Sequence, residues 1–148
     1  MIRERIVKLE TNVDHLTGEE IGAAIRALNE LDEVLDASYF SGLGKKNRPC
    51  GKLEALCHEG AEEAVARAIF RHTHSLGVRI LPMERFVLER SEGRAQVAGR
   101  EARAKNYRVD GSDFQRLEAG ELERLAKELG QGMPALRLGK GPAHDGSA

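Results

Sequence analysis

Three segments of the sequence carry side chains suited to holding a charged ligand. The first is Glu10-Thr11-Asn12-Val13-Asp14-His15. If the extended chain continues through it, alternation sends Glu10, Asn12 and Asp14 to one side, just ahead of a helix N-terminus. Such a set of oxygen donors suits a hard divalent cation, with Asp14 the expected direct ligand and phosphate oxygens or water completing the shell. Asn and Asp also favour strand-end turns for local hydrogen bonding, so turn chemistry alone accounts for the same residues.

The second segment is the glycine-rich basic run Ser41-Gly42-Leu43-Gly44-Lys45-Lys46-Asn47-Arg48-Pro49. Two ammonium groups and a guanidinium beside Gly42, Gly44 and Gly51 offer positive charge with close backbone approach, and Arg holds a phosphate through two parallel bonds. Pro49 stiffens the exit. The run is neither a Walker loop nor a Rossmann fingerprint, and a solvated hairpin turn is the plain alternative. The third segment, Arg71-His72-Thr73-His74-Ser75-Leu76-Gly77-Val78-Arg79, places hydroxyls, imidazoles and two arginines at a helix-to-strand junction, the hydroxyls and arginines being able to donate to phosphate. His72 and His74 by themselves are an incomplete transition-metal site, and Cys50 and Cys57 lack the spacing of structural zinc. Cys57 reads as strand packing and Cys50 as a partly exposed thiol beside the basic run.

The elements that must position these segments follow from periodicity. Ile6 to Glu10 reads as a strand. Thr17-Gly18-Glu19-Glu20 is a capping-box pattern, and Ile21, Ile25, Leu28 and Leu31 make one stripe of a helix ending near Asn29 or Glu30. Val34 to Phe40 and Leu53 to Cys57 read as an antiparallel strand pair around the basic loop. Glu62 to Arg71 is helical, with Ala64, Val65, Ala68 and Ile69 inward, and Val78 to Leu88 is extended. The order βαββαβ predicts an α+β, ferredoxin-like domain over residues 1–91, two helices covering one face of a four-stranded antiparallel sheet. Beyond it, Arg94 to Ala98, a Gly99-Arg100 turn, Glu101 to Val109, an Asp110-Gly111 turn and Ser112 to Leu117 predict a small β-meander. A helix carrying Leu122, Leu125 and Leu129 and closed by Gly130 completes a subdomain over 92–137. Residues 138–148 have the composition of a disordered tail.

The chain's 148 residues suffice for one core with a small satellite. Lys and Arg number 23 against 24 Asp and Glu, a net charge of −1, so any anion site must be local and a nucleic-acid partner is disfavoured. The apolar runs are too short to cross a bilayer, and neither a secretion signal nor a disulfide framework is visible, so the cytoplasm is the expected compartment.

The segments also resemble a known family. Glu10-Thr11-Asn12-Val13-Asp14 with Thr17-Gly18-Glu19, then Lys45-Lys46-Asn47-Arg48-Pro49, then Thr73-x-Ser75-Leu76-Gly77-Val78-Arg79 with Arg85, Leu88 and Arg90 look like successive signatures of the C-terminal part of the LarC family of nickel insertion proteins. Gly99, Lys105, Arg116-Leu117-Glu118 and the Glu121 to Ala126 run resemble its closing portion more loosely. The resemblance implies a CTP-dependent enzyme using manganese or magnesium to insert nickel into pyridinium-3,5-bisthiocarboxylic acid mononucleotide, a lyase-class cyclometallase. It implies that Lys45, Lys46, Asn47 and Arg48 hold the triphosphate and that Thr73, Ser75, Arg79 and Arg85 complete the nucleotide site. Asp14 would reach the metal, with Glu10, Asn12 and His15 around it. An N-terminal portion carried by family members is expected on another chain or missing, and a homo-oligomer is expected from the open sheet.

The chain departs from the family pattern at His15, where a second acidic residue is usual, and at His74, Cys50 and Gly120. An imidazole in place of a carboxylate favours a softer metal than magnesium or manganese. The catalytic base stays unassigned, Asp14 and His15 both having the residue type for it. Two other readings remain open: a non-catalytic nucleotide-binding assembly module, and an RNA-binding ferredoxin-like domain, the latter weakened by only 4 Phe and 2 Tyr in the chain.

Overall fold

The computed structural model describes residues 1–137, so the expected tail at 138–148 lies outside the described residues. By its internal contacts the chain divides into two units, Arg3–Phe86 and, together with Met1–Ile2, the segment from Val87 on.

The first unit begins with β1 (Ile2–Val13), in which Val7, Leu9, Thr11 and Val13 are buried while Lys8, Glu10 and Asn12 alternate to the opposite face. Helix α1 (Gly18–Asn29) starts with the predicted capping box: Thr17 and Glu20 exchange side-chain and backbone hydrogen bonds, satisfying two of the orphan donors of the first turn. The exposed end of α1 is tied to the sheet by the Asn29 amide, which accepts from Ala37 N at 2.9 Å and donates to Ala37 O at 3.2 Å. Strands β2 (Val34–Leu43) and β3 (Pro49–His58) form a hairpin joined across a single 3-10 turn at Lys45–Asn47; α2 (Glu62–Thr73) and β4 (Arg79–Val87) follow. The sheet order is β2-β3-β1-β4, with β1 to β3 and β2 to β3 antiparallel, the topology that the βαββαβ reading requires. Leu9, Leu28, Leu53, Cys57, Val65 and Ile69 are all fully buried and fill the space between the sheet and the two helices. The Cys57 thiol, buried among them, is pushed above its usual pKa by that burial.

The strands run further than periodicity predicts. Ladder pairing carries β1 on through Asn12↔Lys52 and Val13↔Gly51, and carries the hairpin out to Leu43↔Pro49, so the predicted nine-residue basic loop shortens to the residues around Lys45–Asn47. Ladder pairing to a partner strand overrides weak local strand signals. Gly51 is required at its place for a close approach: a Cβ there would lie 1.9 Å from Cζ of the Tyr39 ring, which crosses directly over the glycine backbone.

The second unit is a three-stranded antiparallel meander, β5 (Arg90–Val97), β6 (Arg100–Val109) and β7 (Ser112–Leu117), followed by α3 (Ala119–Leu129) and a short α4 (Met133–Arg137) that periodicity does not predict. Ala102, Leu122, Leu125, Ala126 and Leu136 form its core. Its first turn falls at Ala98-Gly99 rather than Gly99-Arg100. Register pairs Val97 with Arg100, leaving a two-residue connection in which both residues have positive φ (50° and 76°), as a twist-matched hairpin demands. The second turn is Asp110-Gly111 as expected, again with both φ positive. No helix of the described residues is long and apolar enough to cross a membrane.

Candidate functional site

The topology of the first unit gathers the chemistry at one end of its sheet. The C-terminal end of β1 lies beside the start of β3 through Val13↔Gly51, and the hairpin tip closes a rung or two beyond at Leu43↔Pro49. The N-terminal end of β4 meets the same end of β1: Arg79 Nε donates to Glu10 Oε1 at 2.8 Å and its terminal nitrogen to Asn12 Oδ1 at 2.8 Å. The turn after α2 follows Thr73 here too. A shallow concavity lined by Asn12, Asp14, His15, His74, Ser75, Gly77 and Arg79 results.

At the hairpin tip Lys45, Lys46, Asn47 and Arg48 are all exposed. Lys52, further down β3, is bound to Glu54 and Glu10, whereas no carboxylate among the described residues pairs with Lys45, Lys46 or Arg48. The tip is closed by Gly44 N donating to Arg48 O at 2.8 Å. Lys46 and Asn47 both sit in the left-handed region, with φ of 60° and 57°. That conformation costs a lysine about 1 kcal/mol, and side chains held so are characteristic of binding loops. Three cations without a carboxylate partner among the described residues concentrate positive charge on one turn of a chain of nearly neutral charge.

The acidic segment behaves differently from its sequence reading. Alternation does bring Glu10 and Asn12 together, but Arg79 occupies both. Glu10 Oε2 also takes Lys8 Nζ at 3.3 Å and Lys52 Nζ at 3.4 Å. The Arg79 hydrogen bond is the chief reason that the Glu10 carboxyl is held down to about 2, with the two lysines adding to it against the cost of burial. A carboxylate already shared among three cations is a poor metal ligand, and Asn12 has its oxygen committed; both fall out of the expected metal set. Asp14 does not join them, because β1 ends at Val13. It stands instead beside His15, with Oδ1 at 3.6 Å from Nδ1 and a side chain 68% exposed. His15 Nε2 lies 2.7 Å from the carbonyl oxygen of Thr73. Asp14 and His15 are thus the available metal donors. No group of three or more His, Cys, Asp or Glu that could hold a metal occurs among the described residues, so His72 and His74 do not complete a site either. Two protein donors would leave most of a divalent ion's coordination shell to ligands from outside the chain.

Glu10 makes acid stability testable. Its pKa is lowered on folding, so the stabilisation it brings is full above its unfolded value near 4.5 and is lost as pH falls towards 2. Glu121 on α3, also held to about 2, contributes to the same window. The melting temperature is expected to fall across pH 4.5 to 2, and Arg79→Ala to flatten the Glu10 part of that fall. An unchanged acid profile in the Arg79 variant would show that Arg79 does not set the Glu10 pKa.

Thr73 and Ser75 take structural tasks in place of the expected phosphate contacts. Thr73 is fully buried, and its hydroxyl donates to Ile69 O at 2.7 Å. It therefore accepts from Ser75 Oγ at 2.7 Å and from Ser75 N at 3.2 Å. With every position used, this hydroxyl pins the turn that follows α2, where His74 adopts φ 51°. Arg85 is not brought to the site: six residues along β4 from Arg79, about 20 Å away in an extended strand, it pairs with Glu4 at 2.7 Å near the opposite end of β1. Thr11, part of the first segment but without a ligand role in it, is a buried positioning residue. Its hydroxyl donates to Gly77 O at 2.7 Å and ties the 74–78 turn to β1. A hydroxyl in an otherwise apolar inward row, Val7, Leu9, Thr11, Val13, is the signal that marks it. On the second unit, an open hollow lies beside the stacked Tyr107 and Phe114 rings, with its Arg108 paired to Asp113.

The profile of the family described as Nickel insertion protein matches residues 1–136. A relative from Archaeoglobus fulgidus, named for nickel insertion, is 42% identical over 101 residues, 66% of this chain and 26% of its own length. The pyridinium-3,5-bisthiocarboxylic acid mononucleotide nickel insertion protein of Alkaliphilus metalliredigens is 30% identical over 125 residues, 84% of this chain and 29% of its own. The chain spans 26% to 38% of the length of the curated relatives it matches. Among solved structures, the apo C-terminal domain of a cyclometallase involved in the synthesis of the NPN cofactor of lactate racemase superposes with a TM-score of 0.81 at 20% identity, covering 93% of this chain and 96% of that one; it bears out the α+β fold. With nearly the whole described chain matched by one family profile and by relatives of one name, this protein belongs to the nickel insertion protein family, the LarC family.

Proposed function

We propose that this chain is the CTP- and metal-binding domain of a nickel-insertion enzyme acting on pyridinium-3,5-bisthiocarboxylic acid mononucleotide. The observation that carries the reading is the joint placement, at one end of one sheet, of three unpaired cations at Lys45, Lys46 and Arg48 with an open Asp14–His15 donor pair. A triphosphate carries several negative charges that repel one another, and binding it demands fixed cations with at least one bidentate donor. Arg48 is that donor; Lys45 and Lys46 act as point charges, and the constrained backbone of the turn places all three at its tip. Asn47 supplies an amide donor beside them. Asp14 and His15 would hold a divalent ion, which when bound neutralises phosphate charge. Arg79, held by Glu10 and Asn12, forms part of the wall of the concavity. Nickel and the pincer precursor are substrates, and the groups that handle them belong to an N-terminal portion supplied by another chain or by the rest of the protein. Exposed apolar residues on the edge strand β4, Ile80 and Phe86 among them, support self-association.

Calorimetric titration of the chain with CTP and manganese, against ATP and manganese, tests the reading directly. Saturable binding that favours CTP supports it, and no heat with any nucleotide ends it. If CTP binds but nickel, precursor and the N-terminal portion together give no cofactor at high protein concentration, the chain is an assembly module instead.

A further inference from the structure

The ring of His15 is oriented from behind by the fold. Its Nε2 lies 2.7 Å from Thr73 O, and a carbonyl oxygen only accepts, so Nε2 carries a proton. The orienting carbonyl is itself immobile, since Thr73 is fully buried and its hydroxyl is locked to Ile69 and Ser75. In the neutral ring the lone pair is then on Nδ1, the nitrogen that stands 3.6 Å from Asp14 Oδ1. A metal-ligating imidazole is held in this way, one nitrogen to the metal and the other donating to a backbone carbonyl that fixes tautomer and tilt. Two donors each about 2.1 Å from a shared ion are roughly 3 to 3.5 Å apart, close to the separation seen here. Both side chains are open to solvent, 44% exposed for His15 and 68% for Asp14.

We propose that His15 is a metal ligand through Nδ1 and the residue that sets the metal preference of this site, making it a mixed nitrogen and oxygen site that takes Ni2+, Co2+ or Zn2+ ahead of Mg2+. The proposal rests on the metal-binding reading of Asp14 and His15 given above. Mg2+ demands oxygen ligands and keeps its water, whereas imidazole nitrogen suits the later divalent ions, whose affinity for it rises along the first transition row.

The test uses the unaltered chain labelled with 15N at histidine and long-range proton–nitrogen correlation spectra, with Zn2+ or Mg2+ added and no nucleotide present. Without metal, His15 is expected to show a protonated Nε2 and a lone-pair Nδ1. Zn2+ is expected to shift Nδ1 while Nε2 keeps its proton, and Mg2+ to leave both in place. His15→Gln assigns the signal by removing it; its amide can still donate to Thr73 O but offers no Nδ1 donor. This variant is expected to melt with the unaltered chain and to bind Zn2+ roughly tenfold more weakly in competition with a coloured chelator. Should it fail to fold, Asp14→Asn, which leaves the ring contact intact, is expected to weaken Zn2+ in the same assay. An Nδ1 resonance unmoved by Zn2+, one moved equally by Mg2+, or undiminished Zn2+ affinity in a folded variant overturns the proposal. Because no nucleotide is used, a failure of CTP to bind sinks the functional reading without touching this result.

Discussion

Manganese and CTP at about one hundred times their dissociation constant are expected to raise the melting temperature of the unaltered chain by roughly 5 to 10 °C, and Arg48→Ala or Lys46→Ala to remove most of that rise. Ligand at that excess stabilises the folded state by about 2.7 kcal/mol. One kcal/mol shifts the midpoint of a chain of about 150 residues by roughly 2 to 4 °C. The variants should themselves melt close to the unaltered chain without ligand, since neither side chain has a carboxylate partner among the described residues to lose. Lys46→Gly is the sharpest form of the test. At φ 60° a lysine is strained and a glycine is not, so this variant should keep or slightly raise the unliganded midpoint while losing the response to CTP. Full retention of the shift in Arg48→Ala and Lys46→Gly would remove the hairpin tip from the nucleotide site. A basic turn that serves only solubility would give no shift in the unaltered chain either.

Thr73→Val is expected to lower stability by about 3 kcal/mol while changing nucleotide affinity no more than a few-fold. Valine matches threonine in shape, so the loss isolates the hydroxyl. Removing it leaves the Ser75 N–H and O–H without their shared acceptor beside a buried position, and each unsatisfied polar group costs about 1 to 3 kcal/mol. Thr73→Ser, which keeps the hydroxyl, should retain most of the stability and lose only a buried methyl group, about 1 kcal/mol. If the hydroxyl instead contacted phosphate, the pattern would reverse: a stable Thr73→Val that no longer binds CTP. Chemical denaturation of both variants, run beside calorimetry with CTP and manganese, separates the two outcomes.

Much of the fold is legible in the amino-acid order alone. The βαββαβ order follows from periodicity because each element has an apolar face: Val7 and Leu9 on one strand and Val65 and Ile69 on one helix stripe are buried where the period places them. The capping box at Thr17–Glu20 is readable because capping is a contact between residues three apart. Strand ends are less legible, since Asn12, Val13, Gly42 and Leu43 are held extended by partners far along the chain. The Ala98-Gly99 turn lies one residue from where composition puts it for a related reason, as register, set by the whole ladder, chooses an alanine for a positive φ that composition would not assign to it.

By itself the sequence determined the chemical inventory and the family: which cations, carboxylates, imidazoles and hydroxyls are present, in which order, on which kind of element. Only the tertiary structure decided which of them are free to act. Glu10 and Asn12 look like metal ligands until Arg79 arrives from a strand nearly seventy residues away and occupies both. Thr73 looks like a phosphate donor until burial commits its one proton to Ile69. Arg85 shares the arginine signature yet lies at the wrong end of β4, held by Glu4. Lys45, Lys46 and Arg48 are left without a carboxylate among the described residues, and His15 is turned by the Thr73 carbonyl so that its open nitrogen meets Asp14. A side chain's type follows from its own codon, whereas its availability depends on whether a distant partner, brought near by folding, has already taken its charge or its hydrogen bond.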